Sequence, residues 1–346
     1  MTLLMFNGFE GGYDTPEEQK NLGDGIVNLE TPTDWEYTTG RNGGKAITNK
    51  STVWNKAAYM KFPPITNDKI AIVGFAFYVT AGFGSNSDRL AQLYGTSMDG
   101  VHVLLDVSGN LIARAVGFGT QEETSMPVNI NQWYYIEMKG RIDDTNGYAH
   151  VRVNEQVLLD YTGYLHYSGS TTISNLYLRG YSYNRGRIDD VYVADNQGSD
   201  VNDYLGDIRI DAVRPNGAGN YAQLTPSAGA NYECVDEVLY DDSDYVEGVD
   251  SADKDSYTYG SVPTDLDDAG IIALQIKNNA KRTATADNIK IDPFIRTGST
   301  DYSQTVQNLS DDFAMVDGDI ILNDPDDSNP WTQAKINACE FGMEVG

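Results

Sequence analysis

Between Lys69 and Asp195 the sequence breaks into short apolar segments divided by turn signals, a rhythm that suits pleated sheets better than helices. "KIAIVGFAFYVTA" is apolar almost throughout, the pattern of a strand covered on both faces. "GVHVLLDVSGNLIARAVG" reads as a hairpin about Ser108-Gly109-Asn110. "QWYYIEMKGRID" alternates Trp133, Tyr135 and Glu137 against Tyr134, Ile136 and Met138. Asn146-Gly147 and Asn154-Glu155 supply two further tight turns. "TTISNLYLRGYS" and "RIDDVYVAD" complete the series, and no convincing amphipathic helix interrupts it. Many short strands at this spacing predict an all-β chain built as a β-sandwich or barrel.

The last of these segments poses a problem. Ile188, Val191 and Val193 read as a strand, yet Asp189 and Asp190 sit inside it. Strict alternation puts Asp190 with Ile188 and Tyr192, and Asp189 with Val191 and Val193. Whichever face is buried, one carboxylate goes with it.

At 346 residues the chain is long enough for two domains, and its composition shifts along its length. Residues 1–199 carry 22 acidic and 15 basic side chains, whereas residues 200–346 carry 29 and 9. The predicted organisation is a β-sandwich over residues 1–197, a polar linker over 198–206 and a second, strongly acidic β-sandwich over 207–346. The acidic block "DEVLYDDSDYVEGVDSADKDSYTYG" lacks the glycine placement of a calcium loop and reads as a solvated surface loop. One short helix is expected near the C-terminus. Asn329 is its N-cap candidate, Pro330 its first residue, Trp331, Ala334, Ala338 and Phe341 its apolar stripe, and Gly342 its stop.

A net charge of −27 argues against nucleic acid as a partner, because phosphate contacts need clustered Lys and Arg. No apolar run approaches the ~20 residues of a membrane span, so no membrane insertion is expected. The N-terminal "MTLLMFNGFEGGYD" has neither the basic start nor the apolar length of a signal peptide. Synthesis in a cytoplasm follows as an expectation. Cys234 and Cys339 are the sole cysteines, too few for a disulfide framework.

Motifs for chemistry are sparse. His102, His150 and His166 lie in separate segments without ligand spacing and read as ordinary strand or loop residues. No HExxH, CxxC, GxGxxG or GxSxG pattern occurs, and neither does the Glu-x-Asp-x-x-Glu strand set of sandwich glycosidases. The expectation is therefore a protein that is not an enzyme and has no catalytic residues. Aromatic clusters offer contact surfaces instead. Tyr161, Tyr164, His166 and Tyr167, with Tyr181, Tyr183 and Arg185, are candidates for stacking on sugar rings or anchoring a protein interface. Ordinary surface tyrosine in a Tyr-rich chain is the competing reading.

"LLMFNGFEG", "INQWYYIEMKGRI", "GYAHVRVNEQVLLDYTG" and "RIDDVYVAD", in that order, resemble the concanavalin A-like, laminin-G-like jelly-roll modules. From "DYLGDIRIDAVRPNGAGNYAQLTPSAG" to "DPDDSNPWTQAKINACEFGMEV" the chain resembles the second half of virion structural proteins of tailed bacteriophages. The first resemblance implies a concanavalin A-like jelly-roll fold for the N-terminal sandwich. It also implies a calcium ion joining the first strand to the last, with Glu10 and one of Asp189 or Asp190 at the matching positions. A hard cation would neutralise a buried carboxylate. The alternative is an inward Asp satisfied by backbone N–H or Tyr hydroxyl groups across a bulge.

The second resemblance implies a non-enzymatic structural protein of a phage virion, made in the host cytoplasm and displayed on the capsid or tail. Its implied partners are other virion proteins, host surface glycan and further copies of itself as a homo-oligomer. The alternative reading is a stand-alone extracellular carbohydrate-binding or adhesion protein, with a glycan hydrolase behind it.

Overall fold

The computed structural model describes residues 3–51, 58–60, 65, 70–80, 88–95, 99–166, 172–173, 175–179, 186–263, 270–283 and 289–346. They form an all-β chain with a short helix near the C-terminus, in two compact units, 1–211 and 212–346. The division falls beyond the segment 198–206 that the sequence suggested as a linker. That segment belongs to the first unit.

The strands of the first unit are β1 (Leu3–Asn7), β2 (Ile26–Leu29), β3 (Trp35–Thr39), β4 (Lys45–Asn49), β5 (Ala58–Met60), β6 (Ala71–Val79) and β7 (Asp88–Tyr94). They continue with β8 (Gly100–Leu105), β9 (Asn110–Gly117), β10 (Gly119–Pro127), β11 (Gln132–Arg141), β12 (Asp143–Val153), β13 (Gln156–Leu165), β14 (Asn175–Leu178) and β15 (Gly186–Asp195). Two antiparallel sheets result. One has the order β13-β12-β11-β6-β15-β4-β3, with β1 also paired to β15. The other has the order β10-β9-β8-β7-β14-β5-β2.

Alternation explains how they face each other. On β6, Val73, Phe75, Phe77 and Val79 join the core, as do Tyr134, Ile136 and Met138 of β11. From the opposing sheet come Leu93 of β7, Val101, Val103 and Leu105 of β8, and Leu111, Ala113 and Ala115 of β9. The two inner faces thus make one sandwich core. Asn154 and Glu155 both have positive φ, the conformation that a two-residue hairpin between β12 and β13 requires.

A first-unit helix, α1 (Pro16–Leu22), was not anticipated. Thr15 caps it by accepting from the Glu18 N–H, Pro16 opens it, and Gly23 closes it in the left-handed region at φ 90°.

In the second unit a six-stranded antiparallel sheet is built from Pro215–Ala222, Lys254–Tyr259, Glu340–Val345, Lys290–Thr297 and Thr300–Ser303, with Gln307–Asn308 beside Lys290–Thr297. Its apolar face, with Tyr259, Ile295 and Phe341, packs on Ile276, Trp331 and Ile336. The C-terminal helix, α2, runs Gln333–Ala338 and is capped by Thr332, not by Asn329. Pro330 and Trp331 lie instead in β-bridges to Asn323 and Ile271, and Phe341 and Gly342 belong to the last strand. Proline suits an isolated bridge as well as a first helical turn, so its presence did not discriminate. Cys234 and Cys339 are buried and free.

Candidate functional site

The aspartate pair resolves through a bulge. Asp189 pairs with Ala76 and Tyr192 with Gly74, so two residues, Asp190 and Val191, stand opposite Phe75. Asp190 takes φ 48°, and the phase of the strand resets. Ile188, Val191 and Val193 all point into the core, while Asp189 and Tyr192 share the outer face. The bulge falls where β15 exchanges one neighbour, β4, for another, β1.

Both carboxylates are buried yet well supplied. Asp189 accepts the N–H groups of Asp190 and Arg41, each at 2.8 Å. Asp190 accepts the Ile210 N–H at 2.8 Å and lies 3.2 Å from the Arg41 guanidinium, which also donates to the Ile208 carbonyl and to Asp207. Burial, and then the neighbouring Asp190, push the Asp189 carboxyl up to about 8. Glu10, the other residue implied for calcium, accepts the Lys45 N–H at 2.6 Å. Among the described residues no group of three or more His, Cys, Asp or Glu could hold a metal ion. Arg41 and backbone amides make the contacts to the aspartates.

The same outer face anchors residues 203–211. Glu137, 1% exposed, accepts from the Tyr192 hydroxyl and the Gly206 N–H. Tyr204 bonds His150 at 2.7 Å and lies under Lys139 and Arg152. Burial lowers the His150 pKa and so favours its neutral ring. This face is a structural seam.

The opposite sheet carries something different. Each of three adjacent strands carries a polar residue between two apolar neighbours: Gln92 on β7, His102 on β8 and Arg114 on β9. The register places them side by side, with Tyr177 opposite Gln92, Gln92 opposite His102, His102 opposite Arg114 and Arg114 opposite Glu123. Their neighbours in sequence face the core, so this row lies on the outer face. Gln92 Nε2 stands 3.2 Å from His102 Nε2, and both residues are buried. Gln92 Oε1 has no hydrogen-bond partner among the described residues. If the amide is turned over, Oε1 accepts from a protonated His102 Nε2 and the NH2 group faces outward as a donor. In either orientation one polar end of a fully buried glutamine lacks a partner among the described residues.

Three arginines surround this floor. Arg179 donates to the Tyr177 hydroxyl at 2.8 Å and lies 4.6 Å from the centre of its ring. Burial, and then the like charges of Arg179 and Arg114, lower the Arg89 pKa. Arg114 on β9, Arg89 on β7 and Arg179 just after β14 thus stand on close strands of one sheet, in a chain of net charge −27. Tyr94 lies edge-on to Tyr177 at 6.2 Å, and burial raises its hydroxyl pKa, so it stays protonated. Arg89, Arg114, Arg179, Tyr94 and Asn175 are only half-buried and remain within reach of solvent. Gly100 permits the close approach of β8 to β7: its φ is 142°, and a Cβ there would lie 2.1 Å from the Leu93 carbonyl oxygen.

Of the aromatic candidates singled out from sequence, Tyr161 and Tyr164 stand on β13 in the other sheet. Tyr161 packs partly on the core and donates to the Tyr164 carbonyl, and Tyr164 is 40% exposed. His166 is half-buried, with its Nε2 enclosed and without a partner among the described residues. Tyr167, Tyr181, Tyr183 and Arg185 lie outside the described residues. The row itself was missed, and His102 was read as an ordinary strand residue. A polar residue between apolar neighbours in each of three consecutive strands was the available signal.

No family model matches the chain, and no curated protein matches it. Similar solved structures include alginate lyase Aly36B, at 11% identity and a TM-score of 0.40 over 56% of this chain and 95% of that one. A PL-14 alginate lyase from Aplysia kurodai gives 10% and 0.41 over 56% and 99%. Trypanosoma rangeli sialidase gives 13% and 0.32 over 46% of this chain and 26% of that one. These matches correct two expectations. These similar structures are alginate lyases and sialidases, so a non-enzymatic structural role in a phage particle is set aside. At such identities and TM-scores the matches carry no argument about activity, and function is read from the row.

Proposed function

We propose that the first unit binds a carboxylated glycan across the outer face of the seven-stranded sheet and cleaves it by β-elimination. The observation that carries this reading is the polar row Gln92–His102–Arg114 set among Arg89 and Arg179. Arginine is suited to planar carboxylates, and Tyr94 and Tyr177 give sugar rings an apolar surface with hydroxyls at its edge. Hydrolysis of a glycosidic bond commonly uses two carboxylic acids at a defined separation. The row supplies cations, an amide, an imidazole and phenols, with the carboxylate of Glu123 held by Arg114, and these suit a different reaction.

In that reaction the arginines and Gln92 hold the uronate carboxylate and draw charge from it, which acidifies the adjacent C–H. His102 takes that proton. The C–O bond on the next carbon breaks, a C=C bond forms between the two carbons, and the departing oxygen receives a proton from Tyr94. Atoms and electrons balance without an added reagent.

The test is incubation of the intact protein with a panel of polyuronates, alginate first, following the ultraviolet absorbance of the unsaturated uronate product. Appearance of that chromophore is the expected result. Absence of both product and binding across the panel would overturn the reading.

A further inference from the structure

We infer that Glu123 is a built-in competitor for the anion at this site: its carboxylate occupies Arg114 until the carboxylate of a bound glycan displaces it. This rests on the carboxylated-glycan reading above. Arg114 sits between His102 on one neighbouring strand and Glu123 on the other. Its Nε donates to Glu123 Oε2 at 2.6 Å. Glu123 lies on β10, an edge strand whose side chains are mostly exposed. The side chains of Arg114 and Glu123 are 26% and 42% exposed, so water and salt screen the pair and hold its strength down.

A guanidinium presents its N–H groups in a fixed fork, and Glu123 takes the Nε position of that fork. An incoming carboxylate that needs the same donor must move Glu123 aside. A uronate does so because Arg89, Arg179 and Gln92 hold its charge at the same time. A neutral sugar offers Arg114 nothing better than Glu123 and leaves the pair closed. The contact therefore works as a filter, since specificity is a difference between two binding free energies.

The test measures affinity for a polyuronate oligosaccharide and for a neutral oligosaccharide of the same length, at low and high salt. It compares the intact wild type with Glu123→Gln, Glu122→Gln, Arg114→Gln and the double variant Arg114→Gln/Glu123→Gln. Glu122 is one residue away and opposite Ala115, so its replacement removes the same charge without touching the pair. Glu123→Gln is expected to bind polyuronate about two- to fivefold tighter at low salt, with the gain fading at high salt. Glu122→Gln should gain less, the neutral sugar should show no change, and Glu123→Gln should have no effect once Arg114 is gone.

An equal gain from Glu122→Gln would reduce the effect to net charge and overturn the inference. A loss of affinity in Glu123→Gln would make Glu123 a ligand contact and overturn it too. Wild-type binding with no gain in Glu123→Gln overturns the competitor alone. Failure of every form to take up polyuronate overturns the carboxylated-glycan reading as well.

Discussion

Replacing Asp189 by asparagine separates the hydrogen bonding of the bulge from its charge. The carboxyl is 2% exposed and accepts two backbone N–H groups, one on each oxygen. Asparagine keeps one acceptor and, whichever way the amide turns, sets an NH2 group against the other donor. The cost of that mismatch is about 1–3 kcal/mol. Charge works in the opposite sense. Burial and Asp190 raise the wild-type carboxyl from 3.8 to about 8 in the folded state. A raised pKa means the folded state holds its proton more tightly than the unfolded chain. The associated stability is complete below the unfolded pKa and drains away as pH climbs through the folded one, at up to about 1.4 kcal/mol per pH unit.

Asparagine has no such dependence. The wild type should therefore exceed Asp189→Asn by about 1–3 kcal/mol near pH 5, and the gap should close or reverse by about pH 9. Urea titrations of the intact chain at fixed pH values, followed by tryptophan fluorescence, read the gap directly, since three of the four tryptophans (Trp35, Trp54 and Trp133) belong to the first unit. A gap that stays constant or widens with pH would refute the reasoning. It would mean that Asp189 is ionised throughout and that the field of Arg41 outweighs burial.

Arg114→Gln should weaken polyuronate binding about tenfold at low salt and less at high salt, measured by titration calorimetry. Gly74→Ala would place a Cβ 2.1 Å from the Tyr192 ring, displacing the hydroxyl that donates to Glu137. A loss of about 2–4 kcal/mol in urea unfolding is expected, together with faster amide exchange in 204–206. Thr15→Ala removes the cap of α1 and should cost about 1 kcal/mol, with the exchange of the Glu18 N–H rising first.

Much of the fold was legible because it is written in alternation. Tyr134, Ile136 and Met138 point where their spacing said, and the Asn154-Glu155 turn sits where two like strands meet. The bulge was not legible. One extra residue at Asp190 shifts the phase without changing composition, and only the switch of neighbour from β4 to β1 gives it a reason. The Thr15-Pro16-Glu17-Glu18 start of α1 was present in the sequence but was too short to show a helical stripe. Asn329 and Pro330 gave a helix-start signal that the chain uses for a β-bridge, while Thr332, two residues on, does the capping. The candidate site was hidden for a different reason. Gln92, His102 and Arg114 lie far enough apart in sequence that no motif joins them. Only the register of β7, β8 and β9 turns three isolated polar interruptions into one row.

The most direct test of the proposed chemistry compares wild type with His102→Gln on a polyuronate substrate, recording unsaturated product and binding in parallel. If His102 takes the proton next to the carboxylate, turnover falls by about 10²- to 10⁴-fold while affinity changes only a few-fold. Equal turnover in the two proteins, or no unsaturated product from the wild type on any polyuronate, would contradict the account.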